Sequence, residues 1–208
     1  MRRPVQLRHE TPLSSEAYLA EHAWVKARLT TCPRHPAGGC GLVRHGTYPR
    51  KTPTGMRVTR YYCPTAHETF SLLPDCLASR FPSALDDLEH VVTQVTAARS
   101  VEAAADRLRP DIELPSAVRW IRRRLTLVRA SLVIAAGVVG LALADVTLET
   151  LRAAWQTDRV LVALRGRMAV HLGQLPPPIG FGRRPISRPV RRPGRQHAMG
   201  PDRRGPSG

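Results

Sequence analysis

The stretch "CPRHPAGGCGLVRHG", residues 32–46, sets two cysteines and two histidines within fifteen residues. Three readings are open: a metal clip, half of a disulfide framework, or a polar loop rich in ligand-type side chains. A second group lies downstream in "YYCPTAHETF", residues 61–70, where Cys63 and His67 stand four apart. Between them "GLVRHGTY" (41–48) and "RVTRYYC" (57–63) read as two strands, and "PTG" (53–55) supplies the turn. Zinc takes four thiolate or imidazole ligands at the corners of a tetrahedron, delivered as two pairs on tight turns. A hairpin that sets Cys32 and Cys40 against Cys63 and His67 is the layout of a zinc ribbon, in which metal replaces a core too small to fold alone. Cys40 is preferred to His35 because thiolate is the stronger zinc partner and Gly41 permits the tight turn; His35 is the alternative ligand. Neither half shows a strict Cys-x-x-Cys. "RHPAGG" is inserted in the first, and in the second Ala66 takes the place of a fourth cysteine. Cys76, in "LLPDCLA", reads as a small buried apolar residue rather than a ligand.

Composition narrows the partner. The 208 residues are 42% hydrophobic and only 5% aromatic, so any core is modest and aliphatic. Lys and Arg number 32 against 16 Asp and Glu, a formal charge of +16, and all the cations but Lys26 and Lys51 are arginines. Guanidinium stays protonated and forks onto phosphate oxygens, which points to a polyanion. The N-terminal "MRRPVQLRHETPLSSEAYLAEH" has basic residues but no apolar stretch behind them, a poor secretory signal. The expectation is a cytoplasmic, reducing setting, where cysteine clusters hold metal more often than they form disulfides.

The rest of the chain reads as helices. A short N-terminal helical arm is expected within 1–30, from Ser14 to Arg28, capped by Ser14 or Ser15. The ribbon-like module takes 31–78. In 83–130, Leu85, Leu88, Val91, Val92 and Val95 make the apolar face of a first helix. "SVEAAADRL" (100–108) makes a second with Ser100 as N-cap, and 114–132 a third with Pro115 in its first turn. "LVIAAGVVGLALA" (132–144) is apolar for thirteen residues, too short to cross a membrane and better read as a buried helix. An amphipathic helix follows over 146–173, and 174–208 is expected to be a disordered tail dominated by Pro, Arg and Gly. The predicted fold class is therefore mainly α with a small β zinc-ribbon, a three-helix unit, further C-terminal helices over 131–173 and a basic tail.

On the third helix Val118, Ile121, Leu125, Val128 and Leu132 step by three and four and face inward, leaving Arg119, Arg122, Arg123 and Arg129 outside. A helix-turn-helix lays such a helix in the major groove. Ser116, Arg119 and Trp120 would then lie nearest the bases, with Arg122, Arg123 and Arg124 nearer the phosphates. The competing reading of an arginine-rich face is a plain solvated surface, and Trp120 suits a core equally well. The hairpin contributes Arg44, Arg50, Lys51, Arg57 and Arg60, interleaved with Tyr48, Tyr61 and Tyr62 and with no acid from Leu42 to Tyr62. That pattern suits tracking a backbone and stacking on bases.

"CPRHPAGGCGLVRHGTYPRKTPTGMRVTRYYCPTAHETFSLLPD" resembles the N-terminal zinc-ribbon of bacterial insertion-element proteins: a cysteine pair, "RHG", a basic hairpin, an aromatic-"RY"-"C" step and "TFSLLP". In such transposases and their accessory proteins a helix-turn-helix follows, with "VRRWIRR" in its third helix, and "AVRWIRRRL" (117–125) is similar to it. The resemblance covers roughly residues 30–130, and "TFSLLPD" (69–75) is its most specific part. It implies Cys32, Cys40, Cys63 and His67 at or near the metal positions, with Arg119, Trp120 and Arg123 in the recognition helix. A full transposase of this kind also carries a ribonuclease-H-like domain, which needs three separated carboxylates on an α/β sheet. After residue 130 the acids are Asp145, Glu149, Asp158 and Asp202, without a strand pattern. The expectation is thus a zinc-stabilised DNA-binding protein of a mobile element, without catalytic residues of its own. Double-stranded DNA is the expected partner, with no membrane and a homodimer through 132–144. The other readings are the recognition subunit of a split transposase, an RNA-binding protein, and a non-functional remnant.

Overall fold

A computed structural model of the chain describes residues 4–140, 142 and 146–182. Four strands, β1 (Val5–His9), β2 (Val43–Pro49), β3 (Arg57–Cys63) and β4 (Glu68–Pro74), form one sheet in the order β1-β4-β3-β2. The expected hairpin is β2–β3. It is antiparallel and carries one extra residue on β2 between Arg44 and Thr47, where Gly46 takes φ +85°. An extra residue on one strand with glycine in the left-handed region is a β-bulge, and it sharpens the twist of this edge strand.

"TFSLLP" is the middle of the sheet. β4 pairs antiparallel with β3, Tyr61 opposite Phe70, and parallel with β1, Val5 opposite Phe70. A strand with neighbours on both sides and both faces covered reads as a run of apolar residues, and six of its seven residues are buried. The N-terminal segment differs from the expected helical arm. Residues 5–9 are a strand, and the helix α1 is only Ser15–Ala20, followed by a 3-10 turn at Ala23–Val25. Ser14 caps α1, its side chain accepting from the Ala17 N–H at 3.1 Å. His22 at φ 49° breaks the helical path after α1.

Beyond the sheet come α2 (Leu85–Thr96), α3 (Val101–Leu108), α4 (Leu114–Val139), α5 (Leu148–Trp155) and α6 (Val160–Arg167). With four strands ahead of them the chain is mixed α/β rather than mainly α. Ser100 caps α3 as expected, accepting from Ala103 N–H, and α2, α3 and α4 share a core of Val91, Ala104, Ala105, Ala117, Val118 and Ile121. The apolar stretch from 132 is no separate helix. α4 continues into it without a break as far as Val139 and is capped by Gly140, which takes φ +71° in the left-handed region. Its inner face there, Leu132, Ala135 and Ala136, packs into the main core with Leu151 of α5 and Leu161 and Leu164 of α6. No helix among the described residues is long and apolar enough to cross a membrane.

The expected single helix over 146–173 is two helices, broken where Gln156 takes φ 50°. The Pro-rich segment expected to open the tail packs against the core over 174–182. Leu175 and Ile179 are fully buried in the main core. Arg165 of α6, also fully buried, holds this segment. Its guanidinium donates to the carbonyls of Ile179 (2.9 Å) and Pro178 (2.8 Å) on one side and of Asp75 (3.1 Å) and Leu77 (2.6 Å) on the other. Two further clasps join the C-terminal helices to earlier elements. The Glu89 carboxylate of α2 accepts from the Val160 and Leu161 N–H groups at the start of α6 and from Arg152. Arg159 reaches Asp86 and the carbonyls of Pro12 and Leu13. Residues 183–208, the remainder of the expected tail, lie outside the described residues, as do most of 141–145.

Candidate metal centre and basic cleft

Cys32, His35, Cys40 and Cys63 come together with their ligand atoms within 4.8 Å of one another. Cys32-Pro-Arg-His35 makes a tight turn closed by the His35 N–H on the Cys32 carbonyl at 3.1 Å, so two ligands point the same way. Cys63 arrives at the end of β3, next to the Ala66 N–H, which donates to its sulfur at 3.4 Å. Cys40 fills the fourth corner from the loop. Gly41 after it takes φ +66°, and a Cβ there would lie 3.3 Å from the ring of Pro64, so glycine lets the two turns close on each other.

The geometry suits a tetrahedral ion. Bonds of about 2.3 Å to sulfur and 2.0–2.1 Å to nitrogen imply sulfur–nitrogen edges of about 3.5 Å. His35 Nδ1 lies 3.4 Å from Cys63 Sγ and 3.6 Å from Cys32 Sγ. Three thiols and an imidazole form a soft donor set that zinc favours, so this buried group could hold a metal ion of that kind. Burial raises the Cys32 thiol, but hydrogen bonds from the His35 side chain and from the backbone of Arg34 and His35 outweigh it and bring it down to about 6. Burial and hydrogen bonds with Cys32 and Cys63 push Cys40 up instead. All four cysteines are free thiols, which leaves the disulfide reading without a bridge. The turn is tied to the sheet by Arg34, whose guanidinium forks onto the Glu68 carboxylate at 2.6 and 3.1 Å.

The fourth donor grouped with the three thiols is His35, the alternative ligand, rather than His67. His67 is exposed at φ 49° beyond the turn, with its Nδ1 3.1 Å from the Tyr62 hydroxyl, outside the cluster. The signal was present as Cys-x-x-His at 32–35, the spacing of a metal turn with imidazole as its second ligand. Cys76 is fully buried and burial pushes its thiol up to about 12, as an inert core residue.

The hairpin cations divide. Arg44, Lys51 and Arg57 are exposed. Arg50 is not available to a partner: it donates to the carbonyls of Ala78 (3.0 Å) and Phe81 (2.7 Å), and burial lowers its pKa. Arg60 lies over the Tyr48 ring at 4.2 Å. Tyr61 turns inward against the metal cluster, so of the three tyrosines expected to stack on bases it is removed and Tyr48 is covered.

On α4, Ser116, Arg119, Trp120 and Arg123 line an open cleft of about 730 Å³ together with Arg109 and Arg124. The loop at Phe81–Ser83 and Thr52 of the β2–β3 turn line it as well. Arg124 stacks on Trp120 at 3.5 Å and Arg109 lies 4.9 Å from the same ring, while Arg123 and Arg124 approach Phe81 at 5.6 and 5.2 Å. Burial, with repulsion from Arg109 and Arg123, lowers the Arg124 pKa to about 10. Arg122 points elsewhere, 3.7 Å from Glu102 of α3. Arg109, Phe81 and Thr52 had no signal in local sequence; distant segments bring them together.

The fold and the site define a mixed α/β chain with a Cys3His group at one end of its sheet and an arginine-lined cleft beside its long helix. No family model, curated protein or solved structure matches it.

Proposed function

We propose that the protein binds DNA and serves transposition or a related process of a mobile element, with zinc in the Cys3His group as a structural ion and without a nuclease domain of its own. The observation that carries the binding reading is the state of the cations. Arg44, Lys51, Arg57, Arg119, Arg122 and Arg123 are exposed, and among the described residues only Arg122 of these six enters an ion pair. Such cations neutralise phosphates and release counterions. The three helices α2, α3 and α4 serve as a helix-turn-helix-like unit, and the arginines of α4 meet the nucleic-acid backbone rather than base edges. The resemblance to insertion-element ribbons supports the cellular setting. Zinc acts through the fold: Cys32, His35, Cys40 and Cys63 lock the loop at 32–41 against β3, which fixes the basic hairpin in place.

Binding of the zinc-loaded full chain to a 20-base-pair duplex, followed across a range of salt, tests the reading. Affinity should fall log-linearly with salt, with a slope of about −0.9 per phosphate neutralised. Replacing Arg44, Lys51 and Arg57 together by Gln should flatten that slope. Absence of salt-dependent binding to any duplex at low ionic strength would reject it.

A further inference from the structure

The cleft beside α4 differs from the face of a helix that reads a groove. A recognition helix presents its side chains convexly, so that they enter a major groove about 12 Å wide. Here Arg119, Trp120 and Arg123 line a concavity together with Phe81–Ser83 of a separate segment. Its volume of about 730 Å³ belongs to the range of small-ligand sites.

Four guanidiniums, Arg109, Arg119, Arg123 and Arg124, line it against the single carboxylate of Asp87, leaving three net positive charges. None of the four is in an ion pair among the described residues, and Asp87 is itself engaged, accepting from the Ser83 hydroxyl at 3.3 Å and the Ala84 N–H at 3.1 Å. Arg124 is held by its flat face on Trp120. Stacking of this kind engages the π face of a guanidinium rather than its in-plane N–H groups; Nη1 of Arg124 donates to the Trp120 carbonyl at 3.2 Å, and its other N–H groups remain to meet an oxyanion. The site is therefore preorganised for a compact ligand of high negative charge. An internal phosphodiester brings one charge. A terminal phosphomonoester brings about −1.5 to −2, and with the adjoining diester the total approaches that of the cleft. Thr52 of the β2–β3 turn lines the cleft as well, and Lys51 beside it is exposed, so the basic hairpin adjoins the cleft and can take up a strand that leaves it.

We propose that this cleft binds the terminal phosphate of a DNA strand, with Arg119 and Arg123 as its principal phosphate-binding residues and Trp120 holding Arg124 in position. The inference rests on the DNA-binding reading and adds a preference for strand ends to it.

Fluorescence anisotropy with the zinc-loaded full chain decides it, using 12-nucleotide single strands that carry a 5′-phosphate, a 3′-phosphate or neither, and a blunt unphosphorylated duplex. A phosphorylated end should bind roughly tenfold or more tightly than the hydroxyl end, the scale of one charge-assisted hydrogen bond. Arg123→Gln and Arg119→Gln should each reduce that ratio toward one. Arg119 donates to the Ser116 hydroxyl at 3.0 Å and is exposed, so its replacement leaves the fold intact, and a thermal melt verifies this. Equal binding of all single strands, with duplex binding retained, would overturn the end preference and leave the DNA reading standing. No binding to strands or duplex would overturn both. Binding of a free deoxynucleoside monophosphate as tightly as the phosphorylated strand would reassign the cleft to free nucleotides and overturn the strand-end proposal.

Discussion

His35 and His67 are both imidazoles close in sequence to a thiol, yet only His35 faces the thiols. Removing it takes one corner from the tetrahedron, whereas removing His67 costs the Tyr62 contact alone. We expect His67→Ala to retain one zinc per chain and His35→Ala to lose it to a chelator at far lower concentration, both read by elemental analysis after titration. The reverse pattern would return the fourth position to His67. Arg165 makes a second prediction at this scale. Burial lowers its pKa to about 10, so it is charged at neutral pH and compensated by backbone carbonyls. Arg165→Met keeps most of the volume but leaves those acceptors buried without a donor, each costing about 1–3 kcal/mol. Urea unfolding should show a loss of at least about 3 kcal/mol; a loss below 1 kcal/mol would mean the segment after α6 is not held in this way.

The loop at 32–41 has almost no regular structure, and its cluster of Ala27, Cys32, Cys40, Tyr61, Cys63, Phe70 and Leu72 has cysteines where other clusters have leucines. The helices pack separately around Leu85, Leu88, Val128 and their neighbours. Chelation should therefore raise amide exchange over 30–45 and at the end of β3 while α2 and α4 stay protected. Uniform deprotection would show that metal sustains the whole chain. α3 offers a smaller test. Ser100→Ala removes its cap and should cost about 1 kcal/mol. At this scale the sequence was informative where periodicity is local: α2, α3, the start of α4 and the β2–β3 hairpin follow from apolar spacing, caps and a turn. β1 was hidden because five residues, Val5 to His9, alternate weakly and pair with a strand more than sixty positions away. β4 gives no strand signal of its own, since a strand covered on both faces loses the alternation that marks a half-buried one.

At the scale of the molecule, the C-terminal helices clasp the N-terminal half through Arg165, Arg159 and Glu89, and 174–182 closes the core. A chain ending at 182 should melt like the full protein, whereas one ending at 173 should unfold, because Leu175 and Ile179 leave the core. The shorter tail deletion also removes eight arginines against Asp202 alone, so it should weaken binding to every DNA alike and make the salt dependence shallower. Circular dichroism melts and the salt series check both halves of this expectation.

The sequence by itself determined the thiol-rich donor set, the basic character and the local helices, because residue type, charge and periodicity are properties of neighbouring residues. Cys32, Cys40 and Cys63 are candidate ligands by their identity and their turns. Only the tertiary structure grouped His35 rather than His67 with the thiols, drew Arg50 and Tyr61 inward, extended α4 into the apolar stretch, and built a cleft from Arg109, Trp120, Phe81 and Thr52. Those outcomes depend on which distant segments compete for the same space. A proline-rich stretch that reads as tail becomes core once a buried guanidinium has carbonyls to collect.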